Sequence, residues 1–369
     1  MSRRVEMIDR RLLIHFDWAL LTVVLIIASI GILNLYSVSS NGEATRFYAK
    51  QFSWLLVGIV IMLGVAFTEY RYYSDFAYPI HGVALFLLVV VMVFGMISSG
   101  AQRWIRIGTL SFQPSEFLKI SLIIALAKYF QRSPDRKGFG FKDLLIPFVF
   151  LLVPMGLVLK QPDLGTAILL FLILFSVLLF VKIRWSTVIT LGLIGGAALP
   201  LLWRVLKDYQ KKRLYMFFNP NLDPLGAGYH IIQSKIAVGS GGILGKGFMH
   251  GTQCKLGFLP EQQTDFIFSV LAEEWGFLGS LFVLGLYLIL ISWGLHIAVT
   301  AKDRFAAILS FGVVAMLFWH VFINIGMVVG MMPVVGIPLP LLSYGGSFMV
   351  STLIGIGLLL NVSMRRYLF

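Results

Sequence analysis

Acidic residues stand at two depths in the stretch LPEQQTDFIFSVLAEEWG (259–276), where a polar loop becomes a long apolar helix. Asp265 lies at the boundary, while Glu273 and Glu274 follow about two turns further along. A carboxylate at the water boundary, kept ionised by the helix dipole and facing cations, suits a general base beside an anionic leaving group. We therefore predict that Asp265 is catalytic, and that Glu273 and Glu274 pair with polar or basic groups of neighbouring helices.

A second ionisable group consists of Glu116 and Lys119, which are three residues apart and so share one helix face. Ionisable residues inside a membrane are costly, and are therefore paired or functional. Two interpretations stay open: a self-neutralising pair, or a Lys119 that points into an outward-facing cavity and binds an anion while Glu116 orients it. The preceding segment adds Arg103, Trp104 and Gln113 to the same region.

Three further polar positions have both structural and functional interpretations. Asp163 follows Gln-Pro and precedes an apolar run, which is the place of an N-cap, although it could line the cavity beside Lys119. His320 and Asn324 are four residues apart in an apolar span, and hydrogen bonding between helices is the favoured explanation. His, Cys and acidic residues show no zinc-ligand spacing.

The composition indicates the class of protein to which these residues belong. The 369 residues are 58% hydrophobic and 13% charged, with mean hydropathy +0.88, and soluble domains carry about 25% charged residues. Apolar runs long enough to cross a bilayer recur along the chain. We predict one all-α polytopic membrane domain, residues 1–369, with ten transmembrane helices: 18–38, 52–68, 76–97, 114–131, 144–159, 164–182, 186–204, 264–297, 305–330 and 346–364.

The distribution of basic residues predicts the orientation. With the N-terminus inside, the cytoplasmic segments hold 16 Lys and Arg residues, and the short external loops hold five. By the positive-inside rule both termini are cytoplasmic. The net charge of +13 therefore reflects topology, and no nucleic-acid partner is expected. Since the cytoplasmic loops are too short for a nucleotide-binding domain, chemistry is expected in the membrane or outside.

The external loop 205–263, between the seventh and eighth spans, departs from this charge pattern. It contains the basic run KDYQKKR (207–213). The segment YHIIQSKIAV (229–238) has apolar residues at helical spacing, which predicts an amphipathic helix on the membrane surface. The glycine tract 239–251 lacks the Ser or Thr that must follow the lysine of a phosphate-binding P-loop, so we exclude that motif.

Five ordered motifs resemble the RodA branch of the RodA/FtsW/SpoVE (SEDS) family along nearly the whole chain. They are GAQRWIRIG…FQPSEFLKI, KQPDLGTA, DPLGAGYHIIQSKIAVGSGG…GKG…HGTQ, FLPEQQTDFIFSVLAEEWG and PVVGIPLPLLSYGGS. The resemblance implies a glycosyltransferase that polymerises lipid II, the undecaprenyl-diphosphate-linked peptidoglycan precursor, during cell elongation. It also implies a location in the bacterial inner membrane and a class B penicillin-binding transpeptidase partner, with other membrane proteins of the elongation complex.

The resemblance assigns the catalytic acid to Asp265. A divalent cation, Mg²⁺ or Mn²⁺, is a candidate cofactor, with no protein metal site predicted. The candidate substrate-binding residues are Lys119, Glu116, Arg103, Trp104, Gln113, Asp163, Lys207, Arg213, His230, Gln233 and Lys235.

Two other functions use the same residues. A lipid II flippase would need polar residues through the full membrane depth, whereas here they crowd the outer third. A non-enzymatic scaffold would not require an acid beside a basic external groove. Polymerisation of lipid II in detergent, where there is no membrane to flip across, separates these alternatives from an enzyme.

Overall fold

A computed structural model describes residues 14–38, 45–98, 101–107, 110–132, 138–205, 208–219, 227–259 and 261–366. The described parts are mainly helical. In chain order the helices are α1 Trp18–Val38, α2 Thr45–Phe67, α3 Tyr70–Asp75, α4 Ala77–Phe94, α5 Pro114–Phe130, a 3-10 turn Phe141–Leu144, α6 Leu145–Lys160, α7 Leu164–Phe180, α8 Trp185–Val205, α9 Asp208–Phe218, α10 Ala227–Ser240, α11 Thr252–Lys255, α12 Ile267–Val299, α13 Arg304–Val328 and α14 Gly346–Arg365.

A helix occupies each of the ten predicted spans, although α2 begins seven residues before the predicted start. Seven helices of the described chain are long and apolar enough to cross a membrane: α1, α2, α4, α6 with its preceding turn, α12, α13 and α14. The others are shorter or carry charge; α5, for example, has 17 residues and includes Lys119. A multi-pass membrane protein is therefore confirmed, while ten crossings and cytoplasmic termini stay predictions.

The prediction of an all-α fold was wrong between α4 and α5, where three antiparallel strands form a small sheet. These are β1 Met96–Ser98, β2 Ala101–Ile107 and β3 Leu110–Phe112, in the order β1-β2-β3. The sequence of β2, AQRWIRI, contains Trp and Ile, which favour strands, but its polar and apolar residues do not alternate regularly. Since successive side chains of a strand point to opposite faces, Arg103 and Trp104 face opposite sides of the sheet.

Helices α5 and α14 are buried along almost their whole length and α13 along most of it, so these three helices form the centre of the bundle. Helix α14 packs closely along α2. A Cβ at Gly357 would lie 2.7 Å from the carbonyl oxygen of Met62, so glycine is required for this approach. Small residues are a common means of close helix packing in membranes.

The predicted helix in the external loop is present as α10, but one of its faces packs on protein. The hydroxyl of Ser234 lies 2.9 Å from that of Ser269 in α12 and donates to the carbonyl of Val328 in α13 at 2.7 Å. Ser234 is fully buried. This face of α10 therefore contacts the bundle, and a position of the helix on the membrane surface stays a prediction.

Helix α12 is broken at Gly276, whose φ of +66° lies outside the helical region. The glycine tract of the external loop bonds the broken backbone: Phe277 and Leu278 donate to carbonyls of Gly242 and Ile243 at 2.9 and 3.1 Å. A Cβ at Gly276 would lie 2.2 Å from the amide nitrogen of Gly245. Non-helical backbone at membrane depth must be satisfied by protein, and the tract serves that purpose here. The break leaves 267–275 as a separate segment at the start of α12, with Asp265 just before it.

Candidate functional site

The carboxylate of Asp265 is not used as a helix cap. The N-cap position of α12 is Phe266, and no side chain caps the helix. Asp265 is partly exposed, and no described residue forms a hydrogen bond or ion pair with its carboxylate. Its Oδ2 lies against Gly336, where an added Cβ would be 3.3 Å away. The carboxylate therefore lies beside Gly336 and has no hydrogen-bond or ion-pair partner among the described residues.

The surroundings raise the pKa of Asp265 from 3.8 to about 7. Burial of the carboxyl is the largest cause, followed by repulsion from the charge of Glu261, while Arg213 opposes both. Asp163 raises this pKa further and Arg103 lowers it. We expected the helix dipole to help keep Asp265 ionised, but burial, which disfavours the charged form, has the larger effect on its pKa. A carboxyl with this pKa is suited to proton transfer near neutral pH.

Arg103 on β2 is bound to the turn between α6 and α7. Its guanidinium donates to the carbonyl of Gln161 at 3.1 Å and to that of Pro162. The same group lies 3.8 Å from Oδ2 of Asp163. Asp163 also caps α7 by accepting from the backbone N–H and hydroxyl of Thr166 at 3.1 and 3.0 Å. The structure shows the predicted cap, and it brings Arg103 and Asp163 together.

Glu116 and Lys119 form a buried ion pair with 2.8 Å between Oε2 and Nζ. Lys119 is 1% exposed, and its Nζ also lies 2.9 Å from Nε2 of His320. Ser351 donates to Glu116 at 3.2 Å. Of the two interpretations of this pair, the structure shows the self-neutralising one. Anion binding by Lys119 stays a prediction that requires this buried group to open.

Helix α13 connects the ion pair to the segment that carries Asp265. Asn324 donates to the carbonyl of Asp265 at 2.9 Å and to that of Ile337 at 2.7 Å. His320, which contacts Lys119, lies one turn away on the same helix face. The predicted hydrogen bonding between helices is confirmed for His320, whereas Asn324 bonds to carbonyls of two non-helical segments, those before α12 and α14.

The external loop contributes two of the predicted residues to the surroundings of Asp265. On α10, the ring of His230 stacks on Phe266, with 6.1 Å between centroids and 17° between planes. On α9, Arg213 is partly exposed and acts electrostatically on Asp265 and His230. Lys207 lies outside the described residues.

The remaining predicted residues are at the edge of this group. Lys235 is exposed, and its aliphatic chain lies against Gly330. Gln233 and Trp104 are partly exposed. The backbone N–H of Gln113 donates to the hydroxyl of Ser347 at 3.0 Å, at the start of α14. The structure does not bring these four residues into contact with Asp265.

Glu273 and Glu274 are bound by neighbouring structure, as predicted, although the partners of Glu273 lie in the glycine-rich loop and α11. Its Oε1 accepts from Nζ of Lys246 at 2.6 Å and from the N–H groups of Thr252 and Gln253 at 2.8 and 3.1 Å. Glu274 accepts from the hydroxyl of Ser37 in α1. Both acids belong to the packing that joins the external loop and α1 to α12.

Sequence reasoning missed three residues that shape the site: Glu261, Gly336 and Ser343. Ser343 donates to the carbonyl of Thr264 at 2.6 Å. Glu261 and Gly336 both stand in motifs quoted above, yet only the folded chain shows their closeness to Asp265. Among the described residues, no group of three His, Cys, Asp or Glu side chains could hold a metal ion.

Comparison with known proteins agrees with this architecture. The model of the FtsW/RodA/SpoVE family, described as cell cycle proteins, matches residues 11–368. Peptidoglycan glycosyltransferase MrdB of Escherichia coli K12 is 43% identical over 357 residues, covering 96% of this chain and 95% of MrdB. Peptidoglycan glycosyltransferase RodA of Treponema pallidum is 37% identical, covering 95% of this chain and 98% of that protein.

Solved structures with the same fold are similar along almost the whole chain. One, from work on polymerization and crosslinking by a peptidoglycan synthase complex, has a TM-score of 0.81 at 36% identity and covers 96% of this chain and 99% of its own. The crystal structure of RodA, the rod shape determining protein of Thermus thermophilus, has a TM-score of 0.71 at 32% identity, covering 96% and 98%. With fold, motifs and family match in agreement, the chain belongs to the FtsW/RodA/SpoVE family.

Proposed function

We propose that this chain is a peptidoglycan glycosyltransferase that polymerises lipid II into glycan strands during cell elongation, with Asp265 as the general base. Relatives named as peptidoglycan glycosyltransferases at 37–43% identity support the reaction class. The observation that carries the assignment of the base is the uncommitted carboxylate of Asp265, whose pKa is raised to about 7. Such a group can accept a proton from a sugar hydroxyl at neutral pH.

The reaction is an inverting displacement between two lipid II molecules. Asp265 takes the proton of the GlcNAc 4-hydroxyl of one molecule, and that oxygen forms a bond to the anomeric carbon of the other. The bond from this carbon to the diphosphate oxygen breaks, its electron pair leaves with undecaprenyl diphosphate, and the α configuration becomes β. One base suffices, because a diphosphate leaves without strong protonation.

Cationic side chains balance the diphosphate charge in this proposal. Arg103 and Arg213 are the two cations whose field reaches Asp265, so they are the first candidates. Preorganised cations near developing negative charge are a major source of rate enhancement. The full set proposed to contact lipid II is Arg103, Trp104, Gln113, Glu116, Lys119, Asp163, Lys207, Arg213, His230, Gln233 and Lys235.

The proposed setting is the bacterial inner membrane, with both termini in the cytoplasm and the loop 205–263 outside. The distribution of Lys and Arg supports this orientation. The similar chain from the synthase complex comes from work on coordinated polymerization and crosslinking. We extend this to a class B penicillin-binding transpeptidase as the partner of the present chain, within a larger elongation complex.

The test is polymerisation of purified lipid II by the purified protein in detergent. Wild type should produce glycan chains, and Asp265→Ala should produce none while expressing and binding its partner normally. Glu69→Ala, which removes a half-exposed acid with a single weak ion pair to Arg71 at 3.5 Å, is a matched control that should stay active. Full activity of Asp265→Ala would reject Asp265 as the base. A flippase only moves lipid II across a membrane, which is absent in detergent, so it would yield no polymer.

A further inference from the structure

The backbone just before α12 is held by groups from outside its own segment. The carbonyl of Gln263 accepts from the N–H of Tyr344 at 2.8 Å, and that of Thr264 accepts from the hydroxyl of Ser343 at 2.6 Å. The donors to the carbonyls of Asp265 and Ile267 are the amides of Asn324 at 2.9 Å and Asn34 at 3.0 Å. Helices α1 and α13 and the loop before α14 therefore all bind this short stretch.

These hydrogen bonds fix the position of Asp265 without involving its carboxylate. Its main chain is fixed by Asn324, whereas its carboxylate has no hydrogen-bond partner among the described residues. A hydrogen bond to the carboxylate itself would lower its pKa and reduce its basicity. Hydrogen bonds to the main chain of Asp265 orient the base without lowering the basicity of its carboxylate.

Asn324 is suited to this task by its chemistry. Its Nδ2 carries two N–H groups, and they donate to carbonyls of two different segments, at Asp265 and Ile337. The second segment includes Gly336, where an added Cβ would lie 3.3 Å from Oδ2 of Asp265. One fully buried amide therefore sets the spacing between the base and the loop that borders it.

We propose that Asn324 is a positioning residue for the glycosyl transfer, holding Asp265 through its backbone against the loop that contains Gly336. The proposal rests on the proposed function, because it needs Asp265 to be the base. Ser343 has a supporting role, since its hydroxyl donates to Thr264 while accepting from the N–H of Leu339 at 2.8 Å. A small displacement of a catalytic group costs about 100-fold in rate, which is the effect expected on losing Asn324.

The experiment compares Asn324→Ala with Asn361→Ala. Asn361 is a matched control because it is also fully buried and donates to two carbonyls, those of Val65 and Thr68, far from Asp265. Both variants should lower Tm by losing a buried amide. Only Asn324→Ala should lower kcat by about 100-fold at a nearly unchanged KM, with a displaced pH-rate profile. Equal kcat values for the two variants, compared well below both Tm values, would overturn the proposal.

A second pair covers the case in which Asn324→Ala does not fold. Ser343→Ala removes the donor to Thr264, while Ser310→Ala removes a buried hydroxyl that has no hydrogen-bond partner in the described structure. The first should reduce kcat, and the second should not. Equal kcat in both would reject the proposal. If Asp265→Ala were active, the assignment of Asp265 as the base would fail, and the positioning role with it; if it were inactive while Asn324→Ala kept full kcat, only the positioning role would fail.

Discussion

Asp265 and Glu273 are eight residues apart at the outer end of α12, and they use their carboxylates in opposite ways. One oxygen of Glu273 accepts from Lys246, from two backbone N–H groups and from the hydroxyl of Thr252, and the residue is 0% exposed. Asp265 has a partly exposed, uncommitted carboxylate and a bound main chain. An acid with several donors on one oxygen stabilises a fold, whereas an acid held by its backbone stays available for proton transfer.

The largest expected effect separates activity from stability at Asp265. Asp265→Asn keeps the size of the side chain but removes the base, so polymerisation should fall by at least about 100-fold. Since no described donor binds the carboxylate, Tm should not decrease. Initial rates with lipid II and thermal unfolding in the same detergent provide the two measurements. A large decrease in Tm would show that the carboxylate of Asp265, like that of Glu273, stabilises the fold, and would contradict this comparison.

Glu273→Ala should have the reverse effect. It leaves Lys246 without its buried partner and two backbone N–H groups without an acceptor, and breaking a buried ion pair costs about 3–5 kcal/mol. The free energy of unfolding in detergent should fall by that amount. Glu69→Ala, with an exposed ion pair, should change it by less than about 1 kcal/mol. A Glu273→Ala protein as stable as wild type would contradict the structural role.

Lys246→Met tests the same cluster with a smaller change. Glu273 keeps its donors from Thr252 and Gln253, while Nζ of Lys246 loses its charge-assisted bond to Glu273 and its bond to the hydroxyl of Thr252. The expected cost is about 1.5–3 kcal/mol, less than for Glu273→Ala. Measuring both variants under identical conditions ranks the two partners. A larger loss of unfolding free energy in Lys246→Met than in Glu273→Ala would contradict this ranking and show that Lys246 contributes more to stability than Glu273.

The smallest effect is a change in the pH dependence of the reaction. A base with a pKa of about 7 is active when deprotonated, so the rate should rise with pH up to about 7 and then level off. Because folding raises this pKa, the contribution of Asp265 to stability falls as pH rises through 7. Glu261→Gln removes a repulsive charge and should move the midpoint of the rate profile to lower pH. Arg213→Gln should move it to higher pH, and shifts in the opposite directions would contradict this electrostatic account.

The polar residues whose roles could be predicted from the sequence were those with a characteristic position or spacing in the chain. Asp163 has the position of a cap, and it caps α7. His320 and Asn324 have helical spacing in an apolar span, and both bond to other elements. Their partners could not be predicted, because Asn324 bonds to a carbonyl 59 residues away. The strand β2, AQRWIRI, lacks the regular alternation of polar and apolar residues that would have indicated a strand.

Membrane insertion, the approximate positions of the helices and the family could be derived from the sequence alone, because apolar length and ordered motifs are local properties of the chain. The environment of Asp265 depended on tertiary structure, because its pKa reflects burial and charges from separate segments. The sequence placed Lys119 and Asp265 in one region, while packing enclosed Lys119 with Glu116 and His320 and left the carboxylate of Asp265 uncommitted. Desolvation and long-range hydrogen bonds arise only when distant segments meet, so only the fold decides which acid is reactive.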